Sequence, residues 1–141
     1  MRLLFTLLFV SLAGVVAASF ALRNDGNVVV LAATGRIDHA SAEGFKEALQ
    51  PYLAQCKADG DVLILDFSGI EYISSVGLRV LMLAAKQARG QQGAVAVAAL
   101  KPVVREIFEI SKFTLVIPCF AGVRDALAKL APAALVAYGA A

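Results

Sequence analysis

The sequence predicts an α/β protein with a mixed, mostly parallel sheet of about five strands and about four helices. One observation behind this prediction is a pair of short apolar runs, Ser19–Arg23 and Asn27–Ala33, separated by Asn24-Asp25-Gly26. Asp-Gly between two such runs is typical of a β-hairpin. The other observation is that strand-like and helix-like patterns alternate after this hairpin, which favours parallel strands joined by helices.

Three later apolar runs predict the remaining strands. Residues 62–67, Val-Leu-Ile-Leu-Asp-Phe, have the continuous apolar pattern that is typical of a strand covered on both faces. Residues 94–98 predict another buried strand. Residues 114–117 predict a last short strand, which Pro118 ends because proline has no N–H for the ladder.

Four later segments have helical spacing. A loop at residues 35–41 ends at Ser41, a candidate N-cap for the first helix. The second helix is predicted from about Val76 to Arg89, and Pro102 suits the first position of the third. The predicted inward positions are Phe45, Ala48, Leu49, Tyr52 and Leu53 in the first helix, Val103, Ile107, Phe108 and either Ile110 or Ser111 in the third, and Val123, Ala126, Leu127 and Leu130 in the fourth.

The first 18 residues are predicted to lie outside the folded domain. No charged residue occurs from Leu3 to Leu22, and Met1-Arg2 followed by an apolar stretch and small residues is typical of a secretory signal. The stretch is also about long enough to span a bilayer, which needs roughly 20 apolar residues. A third interpretation is that translation begins further along the chain. The sequence leaves these three open, and predicts a segment 1–18, a domain 19–131 and a C-terminal tail 132–141.

Composition and motifs argue against several classes of function. The net charge is +2 with no cluster of Lys or Arg, so nucleic acid is not an expected partner. Cys56 and Cys119 lack metal-type spacing and are expected to be two buried thiols, with a disulfide as the alternative. His39 lies beside Asp38 in a predicted loop and is interpreted as a solvated or capping residue, and the sequence lacks a nucleophile elbow. With no phosphate-binding glycine loop and no metal-type cluster either, we expect neither an enzyme nor a bound cofactor or metal.

Two adjacent hydroxyls, Ser74 and Ser75, fall at the predicted start of the second helix. Free N–H groups and a partial positive charge at that end could hold a phosphate, which would add about two negative charges to the surface. The alternative is that one serine simply caps the helix. The two apolar stripes of this helix comprise Leu78, Leu81, Met82 and Ala85 on one side and Val76, Val80 and Leu83 on the other. The first is expected to pack on the sheet; the second is either covered by a neighbouring helix or partly exposed as a docking surface.

Two blocks of the chain together resemble the STAS domain, the domain of bacterial anti-sigma factor antagonists that is shared with sulfate transporter tails. The blocks are Gly35–Glu43 and Leu65–Leu81. The likeness extends from about Ser19 to Leu130 and includes the predicted helix at Lys101–Glu109. The resemblance implies a STAS-like arrangement of the predicted sheet and helices.

The resemblance also implies a phosphorylation switch. In that family the first serine of an Asp-Ser-Ser/Thr-Gly turn is phosphorylated by an anti-sigma factor that is also a serine kinase, and a dedicated PP2C-type phosphatase resets it. The unmodified antagonist binds the kinase and thereby frees the sigma factor. Alignment on Gly77 makes Ser75 the phosphoacceptor, while Ser74 replaces the usual aspartate. The implied partner-binding residues are Asp38, Ser74, Ser75, Val76, Gly77 and Leu78.

Two other interpretations stay open. The domain could be a constitutive adaptor subunit of a transport or lipid-trafficking complex, in which Ser75 is a cap or a contact residue. Alternatively, residues 1–18 could export or anchor the domain, and a periplasmic domain would meet no ATP for a kinase to use. We expect a cytoplasmic protein, because the chemistry of the family requires it. The sequence does not identify the sigma pathway or the oligomeric state.

Overall fold

The computed structural model describes residues 16–22 and 27–140 and is built around a five-stranded sheet. The strands are Val16–Leu22 (β1), Val28–Ile37 (β2), Val62–Ile73 (β3), Ala94–Ala98 (β4) and Cys119–Phe120 (β5). They lie side by side in chain order; β1 is antiparallel to β2, and every other neighbouring pair is parallel. The prediction of a mixed, mostly parallel sheet is confirmed.

Helices cover both faces of the sheet. They are Ala42–Leu53 (α1), Ser75–Gly90 (α2), Pro102–Ile110 (α3), Val123–Leu130 (α4) and Pro132–Ala140 (α5). Alternate residues of β2 belong to two separate apolar clusters, because successive side chains of a strand point to opposite faces. Val29 and Leu31 join the cluster formed with α1, α2 and α3, whereas Val28 and Val30 join the one formed with α4 and α5. None of the helices in the described ranges is long and apolar enough to cross a bilayer.

The two strands of the predicted hairpin pair with each other. β1 pairs with β2 from Leu22 opposite Val28 to Val16 opposite Ala33, with an irregularity between Ala18 and Phe20. The turn that carries Asp25-Gly26 lies outside the described residues. β1 begins at Val16, three residues before the predicted start at Ser19. Residues 16–18, which were predicted to belong to the segment outside the domain, therefore extend the edge strand beside β2.

Strands β2 and β3 are longer than predicted. β3 continues past Phe67 to Ile73, and β2 continues to Ile37, which lies opposite Ile73 in the parallel register. The predicted loop at residues 35–41 therefore begins only at Asp38. Gly69 permits this extension, because a Cβ there would lie 2.8 Å from the backbone oxygen of Ala33. Gly69 is thus a point of close approach between two strands.

The predicted strand at residues 114–117 is wrong. Residues Phe113–Leu115 form a single 3-10 turn, and the strand that pairs with β4 is the dipeptide Cys119–Phe120 after Pro118. Phe113 is buried edge-on against Phe108, with ring centroids 5.3 Å apart, and this contact holds the segment away from β4. The Pro118 carbonyl accepts a hydrogen bond from the Val97 N–H at 2.9 Å, so pairing begins only there.

The inward face of α3 also differs from the prediction. Val104 and Phe108 are buried, four residues apart on one side of the helix, and Ile107 is half-buried. Val103 is 56% exposed and Ile110 is 76% exposed, so neither contributes to the core. Ser111 is exposed and its hydroxyl donates to the Ile107 carbonyl at 2.7 Å. A helix with apolar residues on several sides has no unique inward face until its neighbours are in place.

The C-terminal residues that were predicted to be a tail form α5, in which Ala134 is fully buried beside Val28 and Val30.

Cys56 is buried and Cys119 is only half-buried, and both are free thiols rather than a disulfide. Burial raises the pKa of the Cys56 thiol to about 11.

Candidate protein-binding site at the start of helix α2

Ser74 and Ser75 occupy different positions at the start of α2. Ser74 is the N-cap: its backbone is extended, and its Oγ accepts a hydrogen bond from the Gly77 N–H at 3.2 Å. The Ser74 N–H donates in turn to the Ile37 carbonyl at 2.8 Å. Ser75 is the first residue of the helix and is exposed. The capping role therefore belongs to Ser74, which leaves the Ser75 hydroxyl facing solvent.

Gly77 lets the first turn of α2 sit directly on the sheet. It is buried, and a Cβ at this position would lie 2.7 Å from Ile37 Cγ2 and 2.7 Å from Ile73 Cγ1. Because only a residue without a side chain allows this approach, Gly77 sets the distance between the helix start and the ends of β2 and β3. The position of Ser75, two residues earlier, follows from this packing.

Asp38 organises the loop between β2 and α1. Its Oδ1 accepts hydrogen bonds from the Ala40 N–H at 3.0 Å and from the Ser41 N–H at 3.1 Å. These bonds, chiefly those from Ser41, hold the pKa of the carboxyl below its ordinary value of 3.8. Ser41 precedes α1 as predicted but makes no capping bond with its side chain. Its hydroxyl lies within the turn instead: it donates to the Arg36 carbonyl at 2.6 Å or to Asp38 Oδ1 at 3.1 Å, and it accepts a hydrogen bond from the Asp38 N–H at 3.0 Å.

The Asp38 loop and the serine turn lie beside each other. Ile37 and Ile73 are opposite in the register of β2 and β3, and the hydrogen bond from Ser74 to Ile37 ties the two strand ends together. Asp38 directly follows the first strand and Ser74 directly follows the second. The carboxyl ends of adjacent parallel strands thus bring residues 38 and 74–78 to one edge of the sheet. His39 is exposed in the same loop.

Ser75 opens onto a shallow depression of about 450 Å³. The residues that line it are Ser75, Val76, Leu78, Arg79, Met82 and Phe113. The lining combines one hydroxyl and one cation with four apolar side chains. Arg79, Met82 and Phe113 were not among the predicted site residues. Helical spacing from Ser75 and Leu78 points to the first two, whereas Phe113 comes from a distant part of the chain.

The second apolar stripe of α2 is covered in one part and exposed in another. Val80 is only 9% exposed because α1 packs beside it, with Leu49 and Leu53 in the same seam. Val76 is 40% exposed and Leu83 is 44% exposed. Both interpretations of the stripe therefore apply: a neighbouring helix covers its middle, and its end next to the serines stays open.

Residues 19–126 match the family model of the STAS domain, and the chain belongs to the STAS domain family. BtrV of Bordetella bronchiseptica, a protein named as an anti-sigma factor antagonist, is 43% identical over 84 residues. That match covers 60% of this chain and 70% of BtrV. The recognition of a STAS domain related to anti-sigma factor antagonists is thus confirmed.

Solved structures share the fold. An anti-sigma factor antagonist from Mycobacterium paratuberculosis is 24% identical, with a TM-score of 0.67, over 82% of this chain and 93% of that one. The unphosphorylated form of the anti-sigma factor antagonist SpoIIAA is 18% identical, with a TM-score of 0.62, over 79% of this chain and 92% of that one. The murine anion transporter Slc26a9 is 14% identical, with a TM-score of 0.63; 81% of this chain matches 21% of the transporter.

Proposed function

We propose that this protein is an anti-sigma factor antagonist that sequesters an anti-sigma factor serine kinase and is controlled by phosphorylation of Ser75. The observation that carries the proposal is the exposed hydroxyl of Ser75 at the first position of α2, beside exposed Val76. The capping bond is made by Ser74, so modification of Ser75 leaves that bond in place. The kinship with BtrV supports the same role.

The switch follows from local electrostatics. The proposed partner-binding surface comprises Asp38, Ser74, Ser75, Val76 and Leu78, which buried Gly77 holds in position, and its exposed apolar part is desolvated when a partner covers it. A phosphorylated Ser75 would bring about two negative charges into that interface, and burying them costs several kcal/mol unless the partner supplies cations. A loss of about 3 kcal/mol lowers affinity more than a hundredfold. The sheet and helices need not move for this control to operate.

Substitutions at Ser75 test the proposal by calorimetric titration against the cognate anti-sigma kinase. Ser75→Asp is expected to weaken binding about a hundredfold, whereas Ser75→Ala should bind as the unmodified protein does. Ser68→Asp is the matched control, because Ser68 is exposed and is not among the residues that line the depression at Ser75. Equal affinities for the wild type and Ser75→Asp contradict the electrostatic switch.

The proposal includes the enzymes that add and remove the phosphate. Purified protein incubated with ATP and the kinase should acquire one phosphate on Ser75, detected by mass spectrometry, and a PP2C-type phosphatase should remove it. Ser75→Ala should acquire none. Phosphate on Ser74 or no phosphate at all contradicts this assignment. Because the kinase needs ATP, the proposed location is the cytoplasm.

A second candidate function is a constitutive adaptor subunit of a transport or lipid-trafficking complex. Two observations favour it: Ser74 stands where the family has aspartate, and the fold is shared with a segment of the transporter Slc26a9. In that case Ser75 is a contact residue and the ATP incubation leaves the protein unmodified. Export or anchoring through residues 1–18 is tested by N-terminal sequencing of the native protein, since a mature chain starting near Ala18 indicates export.

A further inference from the structure

We propose that Arg79 is the intramolecular partner of the phosphoryl group on Ser75. This inference rests on the proposed phosphorylation of Ser75 and adds the residue that would bind the phosphate within the same chain. Arg79 lies four residues after Ser75 on α2, and both line the depression described above. Arg79 is the one cation in that lining.

The helix geometry brings the two side chains together. Residues at i and i+4 have Cβ atoms roughly 5–6 Å apart, and helical side chains tilt toward the N-terminus. This tilt favours placement of the long Arg79 side chain over the turn that carries Ser75, and both residues line the same depression. An anion placed N-terminal to a cation at this spacing is the more favourable order of the pair.

Among the residues that the structure describes, Arg79 has no competing partner. It is exposed, and within residues 16–22 and 27–140 it makes no ion pair or hydrogen bond with its side chain. Two other cations of the chain are engaged elsewhere: Arg36 stacks over the Tyr72 ring at 4.5 Å, and Arg89 donates to the Val116 carbonyl at 3.4 Å. Lys112 is exposed and directly precedes Phe113, which lines the depression, so it is a second cation to be tested.

A guanidinium suits this role because its planar N–H groups bind two phosphate oxygens at once. The interaction favours the dianion and therefore lowers the second pKa of the phosphate from about 6. Asp38, the acidic residue in the adjacent loop, acts in the opposite direction by repelling the dianion. Phosphorylation would also occupy a guanidinium that is otherwise available to a carboxylate of the partner. Arg79 thus couples the modification to loss of a partner contact.

The test measures the phosphate directly. Phosphoserine is installed at position 75 by genetic encoding, without the kinase, and its second pKa is measured by ³¹P NMR titration. Arg79→Gln is expected to raise that pKa by about 0.5 unit, and Arg79→Lys by less, because a surface ion pair contributes modestly. The difference in this pKa between the protein with Arg79 and the Arg79→Gln variant should shrink at about 1 M salt, where the Debye length falls to about 3 Å.

Two matched charge removals control the experiment. Arg89→Gln changes a cation near the other end of α2 and should leave the pKa of the phosphate unaltered, and Lys112→Gln tests the other cation beside the depression. The assignment is overturned if the pKa of the phosphate shifts with Lys112→Gln but not with Arg79→Gln. It is also overturned if this pKa is the same in all variants. The readout is independent of the kinase, so a failure of enzymatic phosphorylation counts against the proposed function alone.

Discussion

At the scale of single residues, two adjacent serines of the same chemistry have different environments. Which of them caps α2 depends on where β3 ends, because the N-cap is the last residue with extended backbone. The sequence places the end of that strand at Phe67, whereas β3 continues to Ile73 and Ser74 follows it. The choice between a capping and an exposed serine was thus open until the length of β3 was known.

The capping role of Ser74 predicts a difference in stability between the two serines. Ser74→Ala is expected to lower the free energy of unfolding by about 1 kcal/mol, because the Gly77 N–H loses its acceptor. Ser74→Asp, which restores the aspartate of the family, should keep the cap and the stability. Ser75→Ala is the control and should change the free energy by less than about 0.5 kcal/mol. Urea denaturation provides the measurement, and a larger loss for Ser75→Ala than for Ser74→Ala contradicts the assigned cap.

At the scale of secondary-structure elements, the position of α2 depends on a close contact with the ends of β2 and β3. The sequence predicts the helix itself from its apolar spacing, and the structure agrees to within a residue at each end. The sequence does not predict the contact of α2 with the strand ends, since Ile37 and Ile73 lie far from each other in the chain. From the sequence alone, Gly77 is expected to weaken the helix. In the fold, its lack of a side chain is what allows α2 to pack against Ile37 and Ile73.

Two glycine substitutions separate these effects. Gly77→Ala is expected to lower the free energy of unfolding by about 1–3 kcal/mol, because the added methyl group would overlap Ile37 and Ile73. In Gly44→Ala, in α1, the added Cβ has no atom within 4 Å, and the substitution should raise the free energy of unfolding by up to about 1 kcal/mol. Thermal denaturation followed by circular dichroism distinguishes the two signs. A stabilising Gly77→Ala would mean that α2 does not press on the strand ends.

At the scale of the whole molecule, the sheet is covered on both faces, and α5 completes one of them. Ala134 is buried in the cluster of β2, β3 and α4 residues, whereas Val136 on the same helix is exposed. Alanine-rich residues 132–140 have no amphipathic pattern that distinguishes a packed helix from a tail. The burial of Ala134 is a consequence of the apolar sheet face beneath it.

Matched aspartate substitutions test this packing. Ala134→Asp is expected to lower the free energy of unfolding by about 3 kcal/mol or more, because an unpaired carboxylate would be buried. Val136→Asp places the same group on the exposed side and should change it by less than about 0.5 kcal/mol. Chemical denaturation of both variants is the measurement. Equal effects would indicate that α5 does not pack on the sheet.

The sequence by itself determined the hairpin, the parallel sheet, four of the helices and the serine turn with its glycine. These features depend on apolar periodicity, turn residues and capping residues, which act over a few neighbouring positions. The tertiary structure alone decided the full length of β3, the 3-10 turn in place of a strand, the packing of α5 and the presence of Phe113 beside Ser75. The physical reason is that each of these results from contacts between residues distant in the chain, which local patterns do not encode.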